Sequence, residues 1–490
     1  MSKREVNMRY IKLIFMIIIS SSYLFAQEIE KKDSEKGKIP LVERNPRLTE
    51  LGEPTEEEPP VWEEHPWVDD LDGALITEVI DAFDEGDPFD FMLRIGYEYE
   101  LTRIKITQQC APGNRAYCVP QANGVINYKS LFRYNQIRHI LNIDAIFGLY
   151  HDLAIYTSWP IILLDTRELT WLKKVGPVPI PTDIYGNPLF KIPFKSPDRS
   201  GVDWFAVGIM WEPFNQMRDE TKPSWLLQFE ARFAIGDPMK PACKSPDGSV
   251  TGNCPTKGGI SKRLTDLIFR TALSRRFKYI EPYVGFEFMA SIPDRTGDSH
   301  GLYPFYNNVK GQINTFPGFQ ATMFFGMEII PWERPEKYNK FMIGIHLFGT
   351  WHSEGRDIGP LFDALGTNRN LDRDINGNEV IDDEDKVPGE RFTGLTDIES
   401  YNTFGGKLTL HFQFAKYVRL TTEVGLAHDQ EHFITFTDQC NPRVSDDPAD
   451  CVYGNALNPD WRPELDDPGH RFRAEETTIF TVYTYVTVMF

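Results

Sequence analysis

The chain has 490 residues, a net charge of −19, a mean hydropathy of −0.37 and 13% aromatic residues. The acidic balance argues against nucleic-acid binding, because a phosphate backbone needs a basic surface. The negative mean hydropathy suits a soluble protein, and it equally suits a transmembrane β-barrel, in which only alternate residues face lipid. Aromatic side chains at both membrane interfaces would explain the aromatic content, although a carbohydrate-binding β-protein would share it.

The amino terminus is typical of an exported protein. Basic residues between positions 3 and 12 precede an apolar run from Leu13 to Leu24. This run has the length of a signal-peptide core and is short for a membrane-spanning helix. We predict a signal peptide over residues 1–26 that is cleaved after Ala26, although Leu24 is an imperfect −3 residue. No cysteine precedes Cys110, which excludes a lipoprotein anchor.

Residues 27–87 form an acidic, proline-rich extension that we predict to be periplasmic and mostly extended, since high charge with proline disfavours a packed core. Within it, apolar residues recur at helical spacing over Leu71 to Phe83, which predicts a short amphipathic helix at 71–83. Two roles remain open for this helix. It either packs on the mouth of the following domain, or acts as a plug or as a contact for a periplasmic partner.

From residue 88 to residue 490 the pattern changes to segments of about ten residues in which apolar and polar residues alternate. In the fifth segment, for example, Trp225, Leu227 and Phe229 alternate with Gln228 and Glu230. Twelve such segments are predicted as strands, at about 89–101, 137–149, 153–164, 204–211, 225–235, 264–273, 280–290, 319–329, 341–351, 404–414, 418–426 and 480–490. The connections between them are alternately long and short, which is typical of transmembrane barrels with long outer loops and short periplasmic turns.

The last segment, FTVYTYVTVMF, alternates strictly and ends on Phe490. It resembles the closing strand of Gram-negative outer-membrane β-barrels, although a terminal strand of a soluble β-sandwich would share the alternation. The resemblance implies an all-β fold: an antiparallel up-and-down transmembrane barrel of about 12 strands in outer-membrane lipid. It also implies that Phe490 is an assembly signal for the barrel-assembly machinery. The resemblance identifies a superfamily and no specific family.

The strand faces opposite the apolar ones carry charged and polar residues, which would be costly to place in lipid. We therefore predict that they line a lumen. Two readings stay open, namely a salt-bridged interior that holds the barrel together and the wall of a polar pore. The predicted lumen residues are Arg94, Glu98, Glu100, Arg138, Asp144, Glu230, Arg232, Arg270, Glu287, Glu328, Lys407, His411 and Glu423.

The six cysteines fall into three close pairs, each within a polar stretch between strands. Six cysteines allow 15 pairings, so the count alone proves no connectivity. Local pairing is the simplest hypothesis, and it fits an exported protein, because disulfides persist in oxidising compartments. Cysteine spacings typical of metal sites are absent. The predicted disulfides join Cys110 to Cys118, Cys243 to Cys254, and Cys440 to Cys451.

The long fifth loop contains an acidic run that is similar to the calcium loop of EF-hand and dockerin-like repeats. Position six of such loops is normally glycine. If the loop starts at Asp374, position six is Glu379; if it starts at Asp372, position six is Gly377. A calcium-ordered loop and a merely acidic, solvated loop both remain open. The candidate ligands are Asp374, Asn376, Asn378, the backbone carbonyl of Val380, Asp382 and Asp385.

Enzymatic barrels exist, but no Ser in this sequence lies beside a His with an orienting amide on an adjacent strand. We therefore expect no enzymatic activity and no required cofactor. The best hypothesis is a porin-like channel or an uptake barrel for small solutes in the outer membrane. The alternative is a surface structural or adhesion barrel, with disulfide-tied outer loops and no open pore.

Overall fold

The structure is a computed structural model, and it describes residues 77–80, 90–110, 127–172, 182, 188–189, 191–216, 218–239, 258–293, 310–334, 337–366, 392–415, 417–452 and 454–489. The predicted signal peptide and Phe490 lie outside these residues. No helix in the described ranges is long and apolar enough to cross a membrane.

The described residues are mostly in long β-strands. The long strands are β1 (Phe91–Cys110), β2 (Asn127–Tyr150), β3 (Leu153–Trp171), β6 (Trp204–Phe214), β7 (Ser224–Ala234), β8 (Leu264–Ser274), β9 (Ile280–Pro293), β10 (Gln320–Arg334), β11 (Asn339–His352), β14 (Tyr401–Ala415), β15 (Val418–Asp429) and β17 (Phe472–Met489). The outer loops add β4 (Phe194–Lys195), β5 (Arg199–Val202), β12 (Gly355–Asp357), β13 (Thr396–Ile398), β16 (His432–Phe433), the helices α1 (Phe362–Leu365) and α2 (Pro463–Asp466), and a 3₁₀ turn at Pro448–Asp450.

The twelve long strands form one closed antiparallel barrel. Each pairs with its neighbours in chain order, and β1 also pairs with β17, where Leu93 lies opposite Val488. Closure leaves no strand edge in the barrel wall, so every backbone group can be hydrogen-bonded without water. The predicted fold of twelve antiparallel strands is confirmed.

The outer face of the barrel is apolar. Phe229 and Phe325 are each 58% exposed on this face and Met323 is 67% exposed, which would be unusual in contact with water. Exposed aromatic side chains gather beside the short turns, as expected at a membrane interface. These are Trp211, Phe214, Phe277, Tyr279, Trp332, Phe414 and Tyr417.

Four strands are much longer than the sequence predicts. β1, β2, β3 and β17 have 20, 24, 19 and 18 residues, whereas about 9–11 residues cross a membrane. β17, for example, begins at Phe472 rather than at residue 480. The extra length lies at the long-loop end. Outward-facing side chains there need not be apolar, so the alternation that predicted the strands is lost.

Three long loops pack onto the inner faces of these extensions and form a second hydrophobic core. We call this assembly, including α1, α2 and the β12–β13 hairpin, the outer cap. Arg199 donates to both carboxylate oxygens of Asp363, at 3.0 and 2.6 Å, and joins two of the loops. The core contains Ile104, Ile106, Leu131, Phe132, Tyr134, Leu169, Leu189, Ile192, Leu361, Ala364, Leu365, Phe392, Ile434, Leu465, Phe472 and Ala474.

Two of the predicted disulfides have cysteines in the described residues. The pair Cys440–Cys451 is bonded, which confirms that prediction. Cys110 is also disulfide-bonded, but its predicted partner Cys118 lies outside the described residues, as do Cys243 and Cys254.

Candidate functional site in the barrel lumen

Inside the barrel lies a cavity of about 700 Å³. Its wall is built from alternate residues of the strands, because successive side chains of a strand point to opposite faces of the sheet. Ten of the thirteen predicted lumen residues line this cavity. They are Arg94, Asp144, Glu230, Arg232, Arg270, Glu287, Glu328, Lys407, His411 and Glu423.

The other three predicted lumen residues lie on the same inward face of β1 and β2 but do not line the cavity. Glu100 lies opposite Arg138 in the strand register, with 3.5 Å between Oε1 and Nη1. Glu98 accepts a hydrogen bond of 3.0 Å from the side-chain amide of Asn142. The charges of this region therefore have local partners on the adjacent strand.

Opposite charges also face each other along the cavity wall. Arg270 lies opposite Glu287, and its Nε donates to Oε2 at 2.8 Å. Lys407 and Glu423 are 3.5 Å apart, with side chains that are 44% and 22% exposed. Cross-strand pairs of this kind stabilise a sheet. Because the paired side chains stay partly exposed to the cavity, the wall is both salt-bridged and accessible.

Glycines let large rings lie flat against the wall. A Cβ atom at Gly208 would overlap the ring of Tyr156, and one at Gly285 would overlap the ring of Phe324. The ring of Phe348 covers Gly405 in the same way. These rings line the cavity without projecting across it, and the contact at Gly405 explains a glycine inside a strand pattern.

The predicted helix at 71–83 is described only over Thr77–Ile80, and these four residues are not helical. We call them the inner segment. They lie inside the barrel, where all four are buried. Their side chains contact different parts of the surrounding wall and do not share one face, as those of an amphipathic helix would. The apolar side chains Val79 and Ile80 belong to one buried cluster with Met92, Ile146, Ala154, Tyr156, Leu226, Ala272, Tyr283 and Phe324.

The inner segment reaches from one wall of the barrel to the other. Thr77 Oγ1 is 2.9 Å from Ser274 Oγ on β8. The next residue, Glu78, accepts hydrogen bonds of 3.1 and 2.8 Å from Arg419 on β15. In barrel order β8 is the sixth strand and β15 the eleventh of twelve, so these walls stand nearly opposite each other. The segment therefore crosses the lumen near the end of the barrel that carries the short turns.

The sequence analysis missed Glu78 and Arg419. Arg419 is on the same strand face as Glu423, which is a predicted lumen residue, so its alternation phase could have revealed it. The sequence also contained a signal for a segment packed inside the barrel. Met92, Leu226 and Ala272 are apolar residues in lumen-facing positions near the short turns, and they are the surface on which Val79 and Ile80 pack.

Three observations together decide the class of protein: the closed antiparallel barrel, the apolar outer face and the charged interior. The chain has the architecture of a transmembrane β-barrel. In lipid every backbone group must be hydrogen-bonded within the protein, and a closed barrel with alternating faces meets that condition.

No protein-family model matches this barrel, and no curated protein matches it. Solved structures similar to it include an outer-membrane channel from Pseudomonas putida F1 named COG4313 (10% identity, 83% of this chain, 100% of that chain, TM-score 0.36). A Pseudomonas aeruginosa FadL homologue matches at 7% identity (82% and 90% covered, TM-score 0.29). The Escherichia coli outer-membrane protease OmpT matches at 8% identity (81% and 97% covered, TM-score 0.22). Similarities this low transfer no function to the barrel.

The histidines of the wall are held by hydroxyl groups. His411 Nδ1 is 2.9 Å from Thr421 Oγ1, and His346 Nδ1 is 3.0 Å from the Tyr283 hydroxyl. Within the described residues, no group of three or more His, Cys, Asp or Glu side chains could hold a metal ion. The predicted calcium ligands between residues 374 and 385 lie outside the described residues.

Proposed function

We propose that this barrel is a channel for small polar solutes across the outer membrane, and that the inner segment obstructs it until it moves. The observation that carries the proposal is the polar cavity inside the closed barrel. A volume of about 700 Å³ is typical of sites that hold small molecules. A stretch of lumen of this size, lined by charges and by flat rings, suits solutes of modest size.

The chemistry of the cavity wall favours polar solutes over apolar ones. Positive and negative side chains both face the cavity, so a polar solute can exchange its hydration shell for hydrogen bonds with the wall. An apolar solute would gain little there, because the accessible charges would lose water without gaining a partner. Glu230 and Arg232 on the same strand show the mixture, with Arg232 Nε 2.5 Å from Glu230 Oε1.

The contacts of the inner segment suit an obstruction that can be displaced. Its contacts within the described residues include the hydroxyl contact of Thr77, the ion pair of Glu78 with Arg419, and the packing of Val79 and Ile80. None of these contacts is part of the strand pairing that closes the barrel. Withdrawal of the segment would therefore leave the barrel wall intact.

A surface structural or adhesion role is the second candidate, and the outer cap is the observation that favours it. Its core joins three long loops to the extended strands, and Arg199 and Asp363 are almost completely buried within it. An ordered outer surface of this kind would suit contact with another molecule, whether or not the lumen conducts.

Planar-bilayer conductance of the refolded protein separates the two candidates. We would compare the full-length chain with a variant that lacks residues 27–87, which removes the inner segment. We expect infrequent current steps from the full-length protein and frequent, larger steps after the deletion. Silence of both proteins would contradict the channel and support the surface role. Equal steps from both would show that the inner segment does not obstruct the lumen.

A further inference from the structure

One row of the barrel wall, next to the inner segment, is built from groups that suit an anion. Arg94 on β1 lies opposite Thr487 on β17, and Thr487 in turn lies opposite Arg419 on β15. The three residues thus form a continuous row across adjacent strands. Arg419 is 1% exposed as a side chain, and Thr487 is completely buried.

This row has unused hydrogen-bonding capacity. Arg94 Nε, Thr487 Oγ1 and Arg419 Nε are buried atoms with no hydrogen-bond partner among the described residues. Buried polar groups without partners are costly, so three of them side by side on one wall need an explanation. Two guanidinium groups with a hydroxyl between them can donate several hydrogen bonds, and their combined charge attracts an anion.

The inner segment shows which anion fits. The two oxygens of the Glu78 carboxylate accept separate hydrogen bonds from Nη1 and Nη2 of Arg419. This two-pronged geometry matches a planar carboxylate. Glu78 also lies within electrostatic range of Arg94. The carboxylate is supplied by a segment outside the twelve strands, and the wall supplies the donors.

We propose that this row, the Arg419 row, is a binding site for the carboxylate of a small anionic solute, and that Glu78 is a built-in competitor for it. The proposal rests on the function proposed above and names the substrate class of the same lumen. A solute carboxylate that binds Arg419 removes the partner of Glu78. Binding of the solute and docking of the inner segment therefore oppose each other to the same degree.

The neighbouring charges narrow the class of anion. Asp144 is 4.0 Å from Arg94, and Glu423 lines the same cavity. These carboxylates would repel phosphate, whose charges share one centre, more than an organic acid whose carboxylates are separated by a carbon chain. The Arg419 row therefore favours small organic acids over inorganic phosphate.

Binding of radiolabelled succinate to the full-length protein in detergent, measured by equilibrium dialysis, tests the site without requiring conduction. We would compare wild type, E78Q, the double variant E78Q/R419Q, and E78Q/K407Q as the control. Lys407 is also a cation of the cavity wall, but it lies near Glu423. A tethered carboxylate competes at an effective concentration on the order of millimolar, so we expect half-saturation of E78Q at about tenfold lower succinate than wild type.

We expect E78Q/R419Q to lose saturable binding and E78Q/K407Q to keep it. Heat-dependent gel mobility would verify that each variant is folded. If E78Q/R419Q does not fold, E78Q/T487V and E78Q/R94Q replace it, and each should weaken binding several-fold. The proposal would be overturned if E78Q and E78Q/R419Q bound succinate equally, or if E78Q and wild type did. Displacement of succinate by phosphate as effectively as by acetate would overturn its carboxylate class. Binding without conductance would contradict solute passage and leave the site standing.

Discussion

The two ends of the lumen are occupied in different ways. At the outer end, three long loops and the extended strands share a hydrophobic core, and the ion pair of Arg199 with Asp363 lies among them. At the inner end, four described residues cross the lumen and meet the wall through Glu78, Thr77 and two apolar side chains. Both ends therefore combine a buried ion pair with apolar packing.

The difference is where the two partners of each ion pair come from. Arg199 and Asp363 both belong to the outer cap, so separating them would expose a whole core. Arg419 belongs to the barrel wall, whereas Glu78 belongs to a segment that takes no part in the strand pairing. A buried charge is costly only while water cannot reach it. Withdrawal of Glu78 would let water or a solute reach Arg419, whereas loss of Asp363 would leave the charge of Arg199 buried without this carboxylate.

The largest expected effect is therefore in the outer cap. We expect D363A to destabilise the cap by about 3–5 kcal/mol, because it leaves a buried guanidinium without its carboxylate. Hydrogen exchange at the amide of Leu365, which donates to Leu361, would measure this. The matched control is D198A, which removes an exposed pair with Lys195 that is worth less than about 1 kcal/mol. Equal exchange in both variants would show that the Arg199–Asp363 pair does not hold the cap.

At the inner end we expect V79D/I80D to release the inner segment. A carboxylate placed among Met92, Leu226 and Phe324 is poorly solvated, so the docked state loses several kcal/mol. The open population should rise by more than about 30-fold, measured as open probability in planar bilayers. T77V removes one hydroxyl contact, and we expect a rise of only about fivefold. An unchanged open probability in V79D/I80D would contradict apolar docking of the segment.

The smallest expected effect is a dependence of the stability of the outer cap on pH. Burial raises the pKa of Asp466 to about 7 and that of Asp397 to about 6. In the unfolded chain both carboxyl groups ionise near pH 4. The folded cap therefore binds more protons than the unfolded chain above that pH, and its stability falls as pH rises, until Asp466 ionises near pH 7.

Between pH 6 and pH 8 the cap should lose about 2 kcal/mol, seen as faster hydrogen exchange at Leu365 after correction for intrinsic rates. The control is D466N, which cannot ionise and whose remaining oxygen can still accept a hydrogen bond from the Thr437 or Arg462 amide. We expect most of the pH dependence to disappear in D466N. A cap that becomes more stable toward pH 8 would contradict the direction of these pKa shifts.

The barrel was predictable because the membrane imposes a period of two on every strand that crosses it. The strands through Phe229 and Phe325 alternate over their whole membrane segments, and all twelve were found. The extensions of β1, β2 and β17 were missed, because outside the membrane their outward side chains need not be apolar. The four-residue helix α1 is too short to show a period.

For the lumen, the sequence predicted which strand residues point inward but not which of them contact each other. Alternation placed Arg94, Glu230 and Lys407 on the inward side of their strands, and they do line the cavity. It could not show that Glu78 meets Arg419, since the two residues are 341 positions apart and their contact depends on closure of the barrel. Helical spacing over 71–83 was misleading at Val79 and Ile80, because the apolar residues there meet a surrounding wall instead of one flat surface.

The Arg419 row also has a consequence for the order of assembly. Arg94 belongs to the first strand, while Thr487 belongs to the last strand, which completes the barrel by pairing with it. The row therefore exists only after this final pairing. Before this pairing, Glu78 and Arg94 lie at one edge of the open sheet, and Arg419 lies near the opposite edge. The buried ion pair of Glu78 and Arg419 therefore forms only in the closed barrel. Its presence distinguishes a fully assembled barrel from an open sheet.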